Sequence, residues 1–310
     1  MIKIYKKNIK NKPFFYLTEQ VNVGRKFKKI QVYLGKDIPN DLGDFYDELE
    51  KKEKDLILDN LKKIFKLNKD VDLNQVEKVE NSRIDQKYFF ARLSDSKKEK
   101  FWRKFAVEFI FQSNSIEGSK LSQGEVEKII NKKYIKKTLD KKEVIEAENS
   151  IKAFDFIQSS DFMLNQKNIK KLHSILTKDL NIEQGYKTKK IVVNNKETIS
   201  PDRVRVAIKN LLSDYQKNKS NKEHPFFLAL KFHSHFEFIH PFEDGNGRVG
   251  RMILIWMLQK NGYGPILFKL QNRNKYFSAL NSADEGRLKK LYWFAVGVYE
   301  KTVRDCCKFL

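Results

Sequence analysis

Between residues 240 and 251 the chain reads His240-Pro241-Phe242-Glu243-Asp244-Gly245-Asn246-Gly247-Arg248-Val249-Gly250-Arg251. Asp244-Gly245 and Asn246-Gly247 are hairpin-turn dipeptides, yet the flanks repeat with helical rather than alternating period, so the turn is expected to join two helices. A glycine-rich turn that opens a helix presents unpaired backbone N–H groups and the positive end of the helix dipole, which suits an anion and phosphate above all. Arg248 and Arg251 lie three apart on that helix, so both guanidinium groups project from nearly one face and can fork onto neighbouring phosphate oxygens. Asp244 could hold Mg²⁺, which takes one or two carboxylates and completes its shell with phosphates and water. An imidazole ordinarily titrates near neutral pH, and His240 stands at the mouth of the same turn as a candidate base. Taken singly, each has another reading: His240 as a core imidazole, Asp244 as a turn former, either arginine as a surface ion pair. Together they supply the positioning and charge stabilisation that phosphoryl-type chemistry requires.

This segment matches the signature HPFx[D/E]GNGRxxR at every defined position, and the chain is similar to the Fic domain family over roughly residues 90 to 300. The resemblance implies protein adenylyl transfer: a Ser, Thr or Tyr hydroxyl of a target protein attacks the α-phosphorus of ATP and pyrophosphate leaves. It implies His240 as general base, Asp244 as the Mg²⁺ ligand, Gly245, Asn246 and Gly247 as the phosphate cradle, and Arg248 and Arg251 as phosphate partners. Upstream, Ser113-Asn114-Ser115-Ile116-Glu117-Gly118 resembles the [S/T]xxxE[G/N] inhibitory motif, so Ser113, Glu117 and Gly118 are expected to set a carboxylate on Arg251 in place of the γ-phosphate. Residues 186–200 resemble the Fic flap, with Ile191, Val192 and Val193 as the strand that receives the target by strand addition. There Gly185-Tyr186-Lys187 stands where relatives often carry an arginine-bearing turn. Tyr276, Phe277 and Asp284 fall at positions that line the adenine and ribose site in relatives, and helix packing explains them equally. Related enzymes also transfer UMP, GMP, phosphate or phosphocholine, or remove AMP. Self-modification and a homodimer stay open.

The elements expected to position these groups are mainly helical: a Fic-type helical core with an inserted β-hairpin flap, preceded by a small β-meander. Residues 1–36 alternate near period two, with Tyr5, Phe14, Tyr16, Val21, Val23, Ile30, Val32 and Leu34 marking strands. Residues 37–87 read as a helix from about 41 to 67 and a polar, capless connector near 68–82, where a domain boundary is expected. Residues 88–310 form the catalytic domain, with helices near 94–112, 122–132, 141–158, 165–180, 202–217, 225–238, 246–260, 275–283 and 288–308, and with the inhibitory segment at about 113–119. Ser122 and Glu125 form a capping box. Lys190-Ile191-Val192-Val193, Asn194-Asn195 and Thr198-Ile199 read as the hairpin.

Composition argues against a disordered or disulfide-built chain: 310 residues, 40% hydrophobic, with 13 Gly, 6 Pro and 2 Cys. The adjacent Cys306 and Cys307 suit a reducing cytoplasm better than a bridge. The N-terminus lacks the apolar stretch of a signal peptide, so a cytoplasmic protein with no membrane partner is expected. The net charge of +22 would attract nucleotides, nucleic acids or acidic proteins. In the meander Lys6, Lys7, Lys10, Lys12, Arg25, Lys26, Lys28 and Lys29 interleave with Tyr5, Phe14, Tyr16 and Phe27, a composition compatible with nucleic-acid binding. Lysines that guard exposed sheet edges explain the same residues, and that reading is preferred here.

Overall fold

The computed structural model describes residues 2–24, 26–133, 138–193 and 196–310; Arg25 and the expected turn at Asn194-Asn195 lie outside them. The chain opens with three antiparallel strands, β1 (Lys3–Ile9), β2 (Lys12–Val23) and β3 (Lys26–Gly35), in the order β1-β2-β3. Alternation turns Leu17, Val21, Val32 and Leu34 inward, where they are buried, and helix α1 (Gly43–Leu58) covers that face with Leu49 and Ile57. A short α2 (Leu61–Ile64) follows.

The segment expected to be a connector is the first half of a long helix, α3 (Leu73–Ala91). Its cap was present in the sequence: the Asp72 carboxylate accepts from the Gln75 amide at 2.9 Å, and the Gln75 side chain accepts from the Asp72 amide at 3.1 Å. What hid the helix is a buried face that is partly polar, since Gln75, Glu80, Ser82 and Gln86 lie inside with Val76, Val79, Ile84 and Tyr88. The buried Glu80 carboxylate accepts from Tyr263 at 2.6 Å, pairs with Arg83 at 2.8 Å and faces His224 at 3.2 Å. Burial alone would raise its pKa, but Arg83 and His224 hold it at about 2. One continuous core runs from the sheet through α3 into the last helices, so the expected boundary near residue 80 does not separate two cores.

The remaining helices follow the sequence pattern closely: α4 (Asp95–Ile116), α5 (Gln123–Ile130), α6 (Lys141–Gln158) and α7 (Gln166–Leu176). The two-strand hairpin β4 (Val192–Val193) and β5 (Lys196–Glu197) comes next. Then come α8 (Pro201–Ser220), α9 (Pro225–Ile239), α10 (Asn246–Lys260), α11 (Arg273–Asp284) and α12 (Leu288–Arg304). Ser122 and Glu125 make their capping box, and Pro225 opens α9 at a position where a missing N–H costs nothing. Helix α9 is apolar on nearly every side, with Phe226, Phe227, Leu230, Phe232 and Phe236 buried, and so runs through the interior between α8, α10, α11 and α12. Its far end and the start of α10 meet at residues 240–245. None of the helices among the described residues is long and apolar enough to cross a membrane.

Candidate active site

Helix α9 ends at His240, whose left-handed backbone (φ 49°) caps the helix and turns the chain away. A non-glycine residue held there costs free energy that its surroundings must supply. The source is visible: Phe242 is fully buried, and the Asn246 side chain donates to the Phe242 carbonyl and accepts from its amide, both at 2.9 Å. Asn246 therefore locks the turn with its side chain, and only its backbone N–H is available to a cradle. Gly245, with φ 79°, is the N-cap of α10, and its amide donates to the Asp244 carboxylate at 2.6 Å. The first intrahelical bond of α10 runs from the Val249 amide to the Gly245 carbonyl at 3.0 Å, so the amides of residues 246–248 precede the ladder and face the turn.

Both arginines are buried, and each is already engaged on one side. Arg251 donates from Nη2 to the Glu117 carboxylate at 2.7 Å and to the Ser113 carbonyl at 3.0 Å, while Nε reaches the Ser113 hydroxyl at 3.0 Å. Arg248 lies 3.3 Å from Glu146 of α6 and 3.5 Å from Asp244. Among the described residues, Nη1 of Arg251 and Nε of Arg248 are buried with no hydrogen-bond partner. Buried unpaired donors of this kind are costly unless a ligand meets them. Glu117 caps α4, its carboxylate lies over Gly247, and a side chain at residue 247 would collide with it. Gly118 follows with φ 108°, which lets the chain leave the helix at once.

A cleft of about 220 Å³ opens beside these groups. Glu117, His240, Gly247, Phe277 and Asp284 line it, joined by Val193 and Thr198 of the hairpin, Glu237 of α9 and Arg273 of α11. Tyr276 is a correction: adjacent helical residues diverge by about 100°, and with Phe277 on the cleft Tyr276 turns inward. There it is 1% exposed and hydrogen-bonded to His233 at 2.6 Å. Ile191 accepts from the Thr198 amide and hydroxyl, Val193 borders the cleft, and Val192 is 61% exposed.

Several neighbours were not legible as site residues. Lys187 is buried, its Nζ donating to Thr198 at 2.6 Å and to the Ile239 carbonyl at 3.3 Å, while its amide donates to the Pro241 carbonyl at 2.9 Å. Burial lowers its pKa to about 8. His240 is held at about 4, first by burial and then by the Lys187 cation, and its ring is hydrogen-bonded to the Glu237 backbone. It is therefore a neutral imidazole at physiological pH and can accept a proton. Glu237 is pushed up to about 8 by burial, with Glu117 and Asp284 adding to the rise and Arg251 opposing it. His173 of α7 stacks on Phe242 with ring centroids 3.9 Å apart and meets the Asp244 carbonyl at 3.1 Å, buttressing the turn from behind.

Asp244 tests the fit of a metal. Its carboxylate is 54% exposed at the mouth of the cradle, one oxygen fixed by the Gly245 amide. No group of three or more His, Cys, Asp or Glu side chains is gathered for a metal among the described residues. A single carboxylate fits Mg²⁺ that brings phosphate oxygens and water as its other ligands.

Residues 163–258 match the Fic/DOC family model. The chain is 24% identical over 242 residues to a protein adenylyltransferase Fic of Nematostella vectensis, covering 76% of this chain and 56% of that protein. A second relative of the same name from Drosophila yakuba is 38% identical over 84 residues, 27% of this chain and 17% of its own length. The chain thus spans about half, or less, of the curated relatives it matches. In three dimensions it is similar to a Fic-domain signaling protein from Bacteroides thetaiotaomicron, with TM-score 0.68 and 20% identity over 75% of this chain and 96% of that one, a likeness of fold. The signature at residues 240–251, the family match around it and the shared helical architecture agree, and residues 163–258 of this chain carry a Fic/DOC domain.

Proposed function

We propose that this chain transfers AMP from Mg²⁺-bound ATP to a Ser, Thr or Tyr hydroxyl of a target protein, and that Glu117 restrains the transfer. The observation that carries this reading is Arg251: one buried guanidinium lies against the phosphate cradle, paired through Nη2 with Glu117 and unpaired at Nη1. A carboxylate and a polyphosphate compete for that one cation, and the relatives' names support an adenylyl donor.

The cradle amides and Arg248 hold the phosphates, where preorganised donors favour the charge that builds up on them. Asp244 would hold Mg²⁺, which neutralises charge on the phosphate oxygens when bound. The hairpin, at the rim of the cleft, lays the target segment along β4. The target hydroxyl gives its proton to His240, its oxygen bonds to the α-phosphorus, the bond from that phosphorus to the bridging oxygen breaks, and pyrophosphate departs.

The test incubates lysate with α-labelled ATP, Mg²⁺ and three proteins: parent, Glu117→Gly and His240→Ala. Glu117→Gly is expected to label many-fold more strongly than the parent, and His240→Ala to label nothing. Equal labelling by Glu117→Gly and parent overturns the restraint; parental labelling by His240→Ala overturns the base. Competition by unlabelled UTP, GTP and CTP separates adenylyl transfer from transfer of another nucleotide.

A further inference from the structure

The chemistry at the cleft makes no use of the outer face of the N-terminal sheet. Residues 1–36 hold ten Lys and Arg and one acid, Glu19. That acid is 4% exposed and turned to the inner face, where it lies 3.6 Å from Lys87 of α3. Among the described residues the outer face therefore carries cations and no carboxylate.

The same face carries rings. Strand pairing sets Tyr5 of β1 opposite Tyr16 of β2, and Tyr16 opposite Tyr33 of β3, across all three strands. The Tyr16 and Tyr33 centroids are 5.3 Å apart, Phe14 lies 6.2 Å from Tyr33, and Tyr5 and Tyr33 are 42% and 48% exposed. Lys29 reaches over from β3 to place Nζ 4.0 Å from the Tyr5 centroid, and Lys3 and Lys7, two residues to either side of Tyr5, share its face. Edge guarding explains lysines on β1 and β3. It does not explain the half-buried aromatic rings that the central strand places on this outer face.

We propose that this outer face binds single-stranded nucleic acid, with bases stacking on Tyr5, Tyr16 and Tyr33 and with Lys3, Lys7 and Lys29 contacting the phosphates between them. Flat π surfaces a few ångströms apart match successive unstacked bases, and every base has a π face, so the recognition is tolerant of sequence. A duplex keeps its bases stacked inside and offers such a surface nothing to read. The acid-free field complements a phosphate chain. The proposal is independent of the transfer reaction, because none of these residues touches the cleft.

The experiment measures fluorescence anisotropy of a labelled oligo(dT) 12-mer titrated with the full chain between 50 and 200 mM NaCl. Binding is expected with a log–log salt slope of about −2, as three phosphate contacts on a single strand predict. The pair Tyr16→Ala and Tyr33→Ala, which leaves the inner face intact, is expected to weaken binding at least fivefold at each salt concentration. Lys7→Gln with Lys29→Gln is expected to flatten the slope, and thermal melts confirm that both variants fold. Equal affinity for a duplex of the same length, binding unaffected by the tyrosine pair, or a salt-independent constant each overturns the proposal. So does a tyrosine variant that halves the sedimenting mass while the parent ignores the oligonucleotide, because the face would then join two copies of this chain.

Discussion

Lys187 and Glu237 are the side chains whose ionisation the fold changes most consequentially for the site. His240 is held at about 4 by burial and by the Lys187 cation. Below that value it is protonated and cannot accept a proton, so the acidic limb of a kcat/KM profile for transfer is expected near pH 4, with the rate rising through it. Lys187→Met removes the neighbouring cation, and the limb should move up toward the ordinary histidine value near 6.5; a limb that stays in place refutes the coupling. Glu237 bears on stability. Its pKa is raised in the folded state to about 8 from an ordinary carboxylate value of 4.5, so between those values the folded chain binds more protons than the unfolded chain. Stability must then fall as pH rises through that window and level off above it. Glu237→Gln removes the contribution, and the difference in Tm between parent and variant is expected to change steadily from pH 5 to pH 8. Lys187 stood in the sequence only as part of the Gly185-Tyr186-Lys187 turn, and Glu237 carried no signal as a site group. The signature is contiguous and declares itself, whereas Lys187, Glu237, Glu146, His173 and Arg273 reach the site from separate elements, with no spacing that announces their meeting.

At the scale of elements the helices of the catalytic region were legible because caps and apolar period agree. Helix α6 spans Lys141–Gln158 as expected, and α10 begins at Asn246. Helix α3 failed because burial there includes Gln75, Glu80 and Gln86, which a hydrophobic period does not count. Its capping box, Asp72 with Gln75, is a local signal that marks the start of the helix where the apolar period does not. Asp72→Ala is expected to cost about 1 kcal/mol in urea unfolding, and no loss would mean that the cap is redundant. The turn between α9 and α10 depends more heavily on one side chain. Asn246→Ala leaves the buried Phe242 amide and carbonyl without partners, at about 1–3 kcal/mol for each such group. Unfolding should therefore shift by about 2–6 kcal/mol, measured by urea titration, and a smaller shift would show that water replaces the amide.

For the whole molecule, the buried carboxylate of Glu80 joins α3 to α9 through His224 and to the segment after α10 through Tyr263. Its depressed pKa contributes stability that is present above about pH 4.5 and is lost as pH falls toward 2. Glu80→Gln strands Arg83 against the core and is expected to destabilise the chain by about 3–5 kcal/mol at neutral pH. In the same variant acid unfolding should begin no earlier than it does at neutral-pH-matched stability, because the titrating group is gone; differential scanning calorimetry from pH 3 to pH 7 reads both effects.

Gly250 sets how this architecture can be governed. A side chain there would run into the Glu237 and His233 side chains, so at that level α10 presents only a hydrogen to the side chains of α9. The proposed base and the proposed anion seat, carried by two different helices, are consequently held close across that seam. On the proposed reading, control would act at the perimeter of the site, through the tip of α4 that bears Glu117 and the short hairpin at the rim, in the manner of a shutter over an aperture.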